Sequence, residues 1–177
     1  KLILEKAQFD PKRIAEIEEE VKHDFLSFLT SVNESLGDVY DGGGGTDDEI
    51  ILLADSYFNS ANSFTNIEQV VFGGFDVRIA SGATVDFSGI DRSGTGTIIG
   101  DAGNEVITGM DNADTIYGLA GNDTINGGTG NDSLYGGLGA DIINSGAGTD
   151  DIYISGNDAA GDTYNFCADN DYAYLYG

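Results

Sequence analysis

Acidic side chains recur at every ninth position between residues 100 and 153, and this spacing limits the chemistry they can do. Each acid is the sixth residue of a nine-residue unit, and an aliphatic residue follows two places later. The acids are Glu105, Asp114, Asp123, Asp132, Asp141 and Asp150, and the aliphatic residues are Ile107, Ile116, Ile125, Leu134, Ile143 and Ile152. Carboxylate oxygens are hard donors, so a repeated row of them suits a hard cation such as calcium.

Small residues fill most of the remaining positions in each unit. Glycine opens five of the six units and is the fourth residue in five of the six. Because glycine tolerates positive φ, the first six residues can turn tightly with carbonyl oxygens pointing inward, and the next three can form a short strand. Calcium takes about six to eight oxygens, more than one unit supplies, so neighbouring turns must share each ion. The repeat therefore predicts stacked turns, with the aliphatic residues buried between two parallel layers.

Residues 10–36 ahead of the repeat have the pattern of one long amphipathic helix. Asp10 fits the N-cap, Pro11 the first helical position and Gly37 the C-terminal stop. We interpret residues 1–37 as this helix, which serves either as a cap on the following domain or as an assembly element.

The remaining segments are expected to be β-structure of different kinds. Residues 38–99 carry short apolar runs and are predicted to form β-helical coils with little or no calcium. An imperfect copy of the unit within 38–53 has Asp48 in sixth position, where a calcium site and a solvated turn both fit. Residues 100–153 are the calcium-binding part, and residues 154–177 are expected to be aromatic capping strands.

The unit resembles the G-G-x-G-x-D-U nonapeptide of the RTX (repeats-in-toxin) proteins. The resemblance implies an all-β fold, a right-handed parallel β-roll or β-helix in which two units make one coil, here preceded by the long α-helix. It also implies that each ion takes the acid and two carbonyls from one turn and the same from the turn two units later. The pairs implied are Asp114 with Asp132, Asp123 with Asp141, Asp132 with Asp150, and Glu105 with Asp123.

The same resemblance assigns backbone positions to these sites and sets their number. We expect about three to five calcium ions along the repeat. In strict phase the next sixth positions are Ala159 and Ala168, which predicts incomplete sites at the outer end. The turn residues implied are Gly118, Gly121, Gly127, Gly128, Thr129, Gly130, Gly136, Gly137, Leu138 and Gly139.

Composition restricts the partners of the chain. It has 31 acidic and 7 basic residues, a formal net charge of −24, which makes nucleic acid and anionic membranes poor partners. Cys167 is the single cysteine, so neither a disulfide framework nor a thiolate metal site is expected. No run of about 18 apolar residues occurs, and we expect no membrane insertion.

Motifs of catalysis are missing from the sequence. His23 is the single histidine, and neither H-E-x-x-H nor G-x-S-x-G occurs. We therefore expect no enzymatic activity. Ice binding, which would need a ladder of threonines at the third position, is disfavoured because those residues are Ala102, Asp111, Ala120, Thr129, Leu138 and Ala147.

Two functions remain open at this point. The first is a calcium-binding structural or interaction module of a secreted or cell-surface bacterial protein, such as an adhesin, a surface-layer component or a filament subunit. Such a module would fold on extracellular calcium and would associate with itself or with a cell-surface or extracellular-matrix partner. The alternative is the C-terminal secretion and stabilising module of a secreted protease, lipase or alginate epimerase. The resemblance implies type I secretion for either.

Overall fold

The computed structural model describes residues 28–30, 39–41, 48–52, 54–60, 63–155, 161–167 and 169–177, and its named elements are all β-strands. The first nine are β1 (Phe28–Thr30), β2 (Val39–Asp41), β3 (Glu49–Leu52), β4 (Ser56–Phe58), β5 (Ser63–Thr65), β6 (Gln69–Val71), β7 (Val77–Ile79), β8 (Thr84–Asp86) and β9 (Asp91–Ser93). The second nine are β10 (Ile98–Ile99), β11 (Val106–Thr108), β12 (Thr115–Ala120), β13 (Thr124–Asn126), β14 (Ser133–Leu138), β15 (Ile142–Asn144), β16 (Asp151–Ser155), β17 (Thr163–Asn165) and β18 (Tyr172–Tyr176).

The strands form a solenoid in which each coil lies parallel on the one before it. Two long sheets have the orders β18-β16-β14-β12-β10-β7-β4 and β17-β15-β13-β11-β8, and a third has the order β1-β3-β6-β9. Strand β2 pairs with β5. The pairings between neighbours are parallel, which confirms the predicted all-β parallel solenoid. Its hand stays a prediction.

The nine-residue units produce a two-sided roll with a repeat of two units per coil. Ile98 lies beside Ile116 in one sheet, and Ile107 lies beside Ile125 in the other, each pair 18 residues apart. The eighth residue of each unit is buried in the centre, as at Ile107 and Ile125, which have no exposed surface. Burying one such side chain contributes about 1.5–3 kcal/mol, so the aliphatic row holds the two sheets together.

The coils before β10 are wider because they have a third side. Strands β3, β6 and β9 form that side, and the sheet ends at β9. Aromatic rings fill the wider interior: Phe58 packs edge-on against Phe64 and Phe87, with ring centroids 5.3 and 5.9 Å away. The cross-section of the solenoid therefore narrows immediately before the repeat region begins.

Most of the helix predicted over residues 10–36 lies outside the described residues. At Phe28–Thr30 the prediction is wrong, since these residues form β1 and pair in parallel with β3. The apolar spacing that favours a helix does not by itself exclude a short strand, and pairing with β3 supplies backbone partners that an isolated helix turn lacks. In the part of the chain that the structure describes, no helix is long and apolar enough to cross a membrane.

Candidate metal centre

The turns between strands alternate between the two edges of the roll, so the sixth-position acids form two columns. Glu105, Asp123 and Asp141 stack along one edge, and Asp114, Asp132 and Asp150 along the other. The backbone N–H of each acid donates to Oδ1 of the acid one coil later at 2.8 Å. The structure thus brings together the four pairs that the resemblance to the RTX proteins implies. This follows from the constant coil length, which places every second unit on the same edge.

The second carboxylate oxygen of Asp123, of Asp132 and of Asp150 is buried without a hydrogen-bond donor among the described residues. Asp123, Asp132 and Asp150 are at most 1% exposed. Their Oδ2 atoms accept no hydrogen bond from any described residue. A buried, unpaired carboxylate oxygen is costly, and native structures normally satisfy it with a partner or a bound ion.

Burial also changes the acidity of these groups in the metal-free protein. It raises the pKa of Asp123 and of Asp132 to about 7, although the hydrogen bond that each carboxylate accepts from a backbone N–H partly lowers the pKa. It raises the pKa of Asp114 to about 6, and Arg92 opposes this shift. Neighbouring carboxylates along the columns add to the rise. Without a metal ion, a proton near neutral pH is the competing way to neutralise these oxygens.

Carbonyl oxygens of the next coil approach the same unpaired carboxylates. A methyl group on Gly118 would lie 2.5 Å from Asp123 Oδ2 and 2.5 Å from the carbonyl oxygen of Gly136. A methyl group on Gly127 would lie 2.5 Å from Asp132 Oδ2 and would overlap the carbonyl oxygen of Ser145. The first position of the unit therefore lacks a side chain because oxygens from two coils converge there.

This donor set fits calcium. Carboxylate and carbonyl oxygens are the ligands that calcium prefers. Two acids stack at each site, as Asp114 and Asp132 do, so carbonyls would supply most of the remaining oxygens of each ion. The residues present would hold calcium between successive turns, where it would neutralise the buried carboxylates.

Several of the turn carbonyls also hydrogen-bond between coils. The carbonyl of Gly128 accepts from Ala147 N at 2.8 Å, and that of Ala147 accepts from Gly130 N at 2.9 Å. Thr129 forms the isolated bridge with Ala147 at this point. A carbonyl oxygen has two lone pairs, so a hydrogen bond leaves one for a metal ion.

Left-handed backbone occurs in the turns where the unit has glycine at the second and fourth positions. Leu119, a second-position residue without that freedom, still has φ of 81°, which is an uncommon conformation for leucine. Met110, at the same position one unit earlier, is fully buried. The glycines with positive φ in these turns include Gly121, Gly128, Gly130, Gly137 and Gly139.

The two columns continue beyond the point where strict phase ends. The last coils are 21 residues long, since Ile143 lies beside Tyr164 and Ile152 beside Ala173. Asp162 Oδ1 accepts from Asp141 N at 2.9 Å. Asp171 Oδ1 accepts from Asp150 N at 3.1 Å.

The prediction that the outer acids lack a stacked partner is therefore wrong. Ala159 and Ala168, the strict-phase positions, lie outside the described residues. A single three-residue insertion between Ile152 and Tyr164 shifts the acid in both columns, since Asp162 and Asp171 are again nine residues apart. The signal available in the sequence is an acid two places before the residue that joins the core column, as in Asp162 and Tyr164.

The acids at the ends of the columns, Glu105, Asp162 and Asp171, accept hydrogen bonds on both carboxylate oxygens, unlike Asp123 and Asp132. Asp162 Oδ2 accepts from Tyr164 Oη at 2.6 Å, and Asp171 Oδ2 accepts from Ser145 Oγ at 2.9 Å. Glu105, which is fully buried, accepts from Gly82 N at 2.6 Å and from Asp101 N at 3.0 Å. The extra methylene of glutamate thus lets it reach back to the preceding coil, which leaves the Glu105–Asp123 pair less suited to calcium than the others.

The separate candidate at Asp48 has a different environment. Asp48 is 4% exposed, and its N–H donates to Glu68 Oε2 at 2.9 Å. Its carbonyl accepts from Glu68 N at 3.0 Å. Residues 42–47, which precede it in the imperfect unit, lie outside the described residues, and calcium binding at Asp48 stays a prediction.

Comparisons with known proteins agree with this geometry. A protein of Synechocystis sp. named adenylosuccinate lyase is 64% identical over 33 residues, which make up 19% of this chain and 8% of that protein. No solved structure matches the chain. The family model described as "RTX calcium-binding nonapeptide repeat (4 copies)" matches residues 92–125, 99–132 and 117–152. Residues 92–152 of this chain therefore carry RTX calcium-binding nonapeptide repeats.

Proposed function

We propose that this chain is a calcium-folded structural or interaction module of a secreted or cell-surface bacterial protein. The observation that carries the proposal is the row of buried carboxylate oxygens without hydrogen-bond donors, at Asp123, Asp132 and Asp150. They lie between coils, where an ion would join one coil to the next. Calcium is abundant outside the cell and scarce in the cytosol, so the module would fold after export.

The expected energies make such a switch effective. Two carboxylates about 4 Å apart repel by roughly 1 kcal/mol in water, and by more in a less polar site. Free calcium at about ten times Kd contributes about 1.4 kcal/mol per site. About four sites would contribute roughly 5–6 kcal/mol, which is comparable to the whole stability of a small domain. Without calcium this contribution is lost and the repulsion remains.

Folding would produce a stiff rod, and regular stacks of side chains (ladders) on both outer faces would add to its stiffness. On one sheet Tyr117, Tyr135 and Tyr153 stack with ring centroids 4.3 Å apart. On the other, Asn144 Nδ2 donates to Asn126 Oδ1 at 2.6 Å. Each ladder repeats once per coil. A stiff module of this kind suits an adhesin, a surface-layer component or a filament subunit.

The last strand offers a surface for association. In β18 all five residues are exposed, among them Tyr172 at 52% and Leu175 at 78%. Exposed aromatic and aliphatic side chains on an edge strand favour pairing with another chain. Self-association or binding to a cell-surface or matrix partner is the corresponding proposal.

The alternative is a stabilising and secretion module attached to an enzyme. One observation favours it: the matching 33-residue stretch belongs to a larger protein whose name is that of an enzyme. Because that stretch is 8% of the relative, the named activity is not transferred to this chain. The full-length gene would decide between the two, since it would reveal any attached catalytic domain.

Far-UV circular dichroism tests the common part of both proposals. We expect little strand signal in EDTA and a cooperative gain on addition of millimolar calcium. Asp132→Asn should weaken the response to calcium, and Asp86→Asn is its matched control because it removes one carboxylate from β8, outside the repeat. Equal strand content with and without calcium would contradict calcium-dependent folding. Light scattering of the calcium-loaded protein then tests self-association.

A further inference from the structure

Arg92 lies where the three-sided coils give way to the two-sided roll. It belongs to β9, the last strand of its sheet, and its side chain is 14% exposed. The turn 109–114, the first in the column of Asp114, Asp132 and Asp150, comes next along the solenoid. Buried arginine is uncommon unless its charge and its donors are matched by partners.

The guanidinium group joins oxygens of two successive coils. One terminal nitrogen donates to the carbonyl of Ala113 at 2.6 Å, and the other donates to the carbonyl of Gly96. Nε lies 3.8 Å from Asp114 Oδ1, a buried oxygen that accepts no hydrogen bond from the described residues. The group also lies over the ring of Phe72, with 4.8 Å from Cζ to the ring centroid.

These partners are of the same kind as those that converge in the interior of the column. There, an unpaired oxygen of Asp132 and the carbonyl of Ser145 in the next coil approach the same glycine. At Arg92 the partners are again one buried carboxylate oxygen and carbonyls from two successive coils. The difference is that the positive charge belongs to the chain itself.

We propose that Arg92 is a built-in cation that replaces calcium at the N-terminal end of this column of turns. The inference rests on the proposed calcium-dependent folding and goes beyond it. Arginine keeps its charge at every physiological pH, and its planar set of donors can bind several oxygens at once. Turn 109–114 is therefore held on this side without metal, and it presents its outer oxygens to the first ion of the column.

The other column begins in a comparable way. Glu105 accepts hydrogen bonds from the backbone N–H groups of Gly82 and Asp101, so both of its carboxylate oxygens have protein donors. Both columns thus start on groups supplied by the protein. The calcium-independent coils then act as a template, and the first ion adds to a turn that is already in place.

Arg92→Gln is the direct test, and Arg78→Gln is its matched control. Arg78 makes a partly exposed ion pair with Asp55, 3.4 Å between Nε and Oδ2, with 35% and 43% of the side chains exposed. Calcium titrations followed by far-UV circular dichroism give the midpoint of folding for each protein. We expect Arg92→Gln to raise the midpoint by about threefold, Arg78→Gln to leave it nearly unchanged, and Arg92→Lys to fall between them.

Native mass spectrometry of the calcium-saturated proteins supplies a second readout. An unchanged ion count in Arg92→Gln, or one additional ion, supports replacement of calcium by the guanidinium. One ion fewer would overturn it, because Arg92 would then be supporting an ion rather than replacing one. A midpoint equal to that of Arg78→Gln would overturn it as well.

Two further outcomes keep the inference separate from the proposed function. If Arg92→Gln does not fold at saturating calcium, Arg92→Lys takes its place, and a midpoint equal to that of Arg78→Gln contradicts the inference. If the unsubstituted protein folds equally in EDTA and in calcium, the proposed function fails first. Calcium-dependent folding with no effect at Arg92 refutes the built-in cation alone.

Discussion

Replacing Asp132 by asparagine should have opposite effects with and without calcium. The substitution preserves shape, and the remaining carbonyl oxygen can still accept the N–H of Asp114, which now lies 2.8 Å from Oδ1. What disappears is the charge on a buried carboxylate with an unpaired oxygen. The sign of the effect therefore depends on whether a cation is present to neutralise that charge.

In calcium, Asp132→Asn should destabilise the roll. Asp132 belongs to two stacked pairs, one with Asp114 and one with Asp150. At calcium about tenfold above Kd each site contributes about 1.4 kcal/mol, so impairing both costs about 3 kcal/mol. The loss should appear as a lower midpoint in urea at 10-fold excess of calcium, with about the same denaturant dependence.

In EDTA at pH 8, the same substitution should stabilise the folded form. Burial raises the pKa of Asp132 from 3.8 to about 7, so keeping it ionised at pH 8 opposes folding. About three pKa units correspond to at most about 4 kcal/mol, and asparagine removes this cost. Because the metal-free roll is expected to be mostly unfolded, the folded fraction is measured by circular dichroism while trimethylamine N-oxide is added.

Asp86→Asn is the control for net charge in both solutions. It should change the folded fraction in the same small way in EDTA and in calcium. A lower folded fraction for Asp132→Asn in EDTA would refute the assignment of an unpaired buried charge. An unaltered urea midpoint in calcium would refute the assignment of Asp132 as a shared ligand.

Three other predictions follow from the same geometry. In EDTA, folding should be favoured at pH 5 over pH 8. Burial raises the pKa of Asp123 and of Asp132 to about 7, so the stability from their protonation is lost as pH rises through that value. The folded fraction measured across this range tests the prediction, and a larger folded fraction at pH 8 would contradict it. Gly127→Ala should weaken calcium binding by about tenfold or more in calorimetric titration, because its methyl group would overlap the converging oxygens. Gly82→Ala, whose methyl group meets nothing within 4 Å but is disfavoured by the backbone φ of 71°, should weaken it much less; equal losses would contradict the convergence of ligand oxygens at Gly127. Asp171→Asn should raise the calcium midpoint less than Asp132→Asn, since both Asp171 oxygens already accept hydrogen bonds; a larger rise would place the main sites at the outer end.

The central coils were predictable from sequence because one constraint sets both fold and site. A constant spacing of nine places every eighth residue in the core and every sixth at a turn. The two units per coil implied by the resemblance to the RTX proteins then determine which acids stack, as in Asp114 with Asp132. The same spacing sets the strand register, because a shift of one residue at Ile116 or Ile125 would put a polar neighbour in the core.

Where the spacing changes, the sequence was less informative. The single insertion before Asp162 preserves the stacking but shifts the spacing by three residues, so strict phase points to alanines instead. At Phe28–Thr30 an apolar run fits both a helix face and a strand, and only pairing with β3 distinguishes them. Arg92 lies at the boundary between the two kinds of coil because β9 is the last strand of its sheet. That boundary depends on tertiary packing, and no local sequence pattern indicates it.

The location of the bound calcium ions is the most direct test of whether successive turns share them. A crystal of the calcium-loaded protein, measured for the anomalous signal of the metal, would place each ion relative to the columns. We predict peaks between successive turns, at about 2.3–2.6 Å from the unpaired Oδ2 atoms of Asp123 and Asp132. Peaks confined to the outer surface of the roll, with those oxygens bonded to protein groups instead, would contradict it.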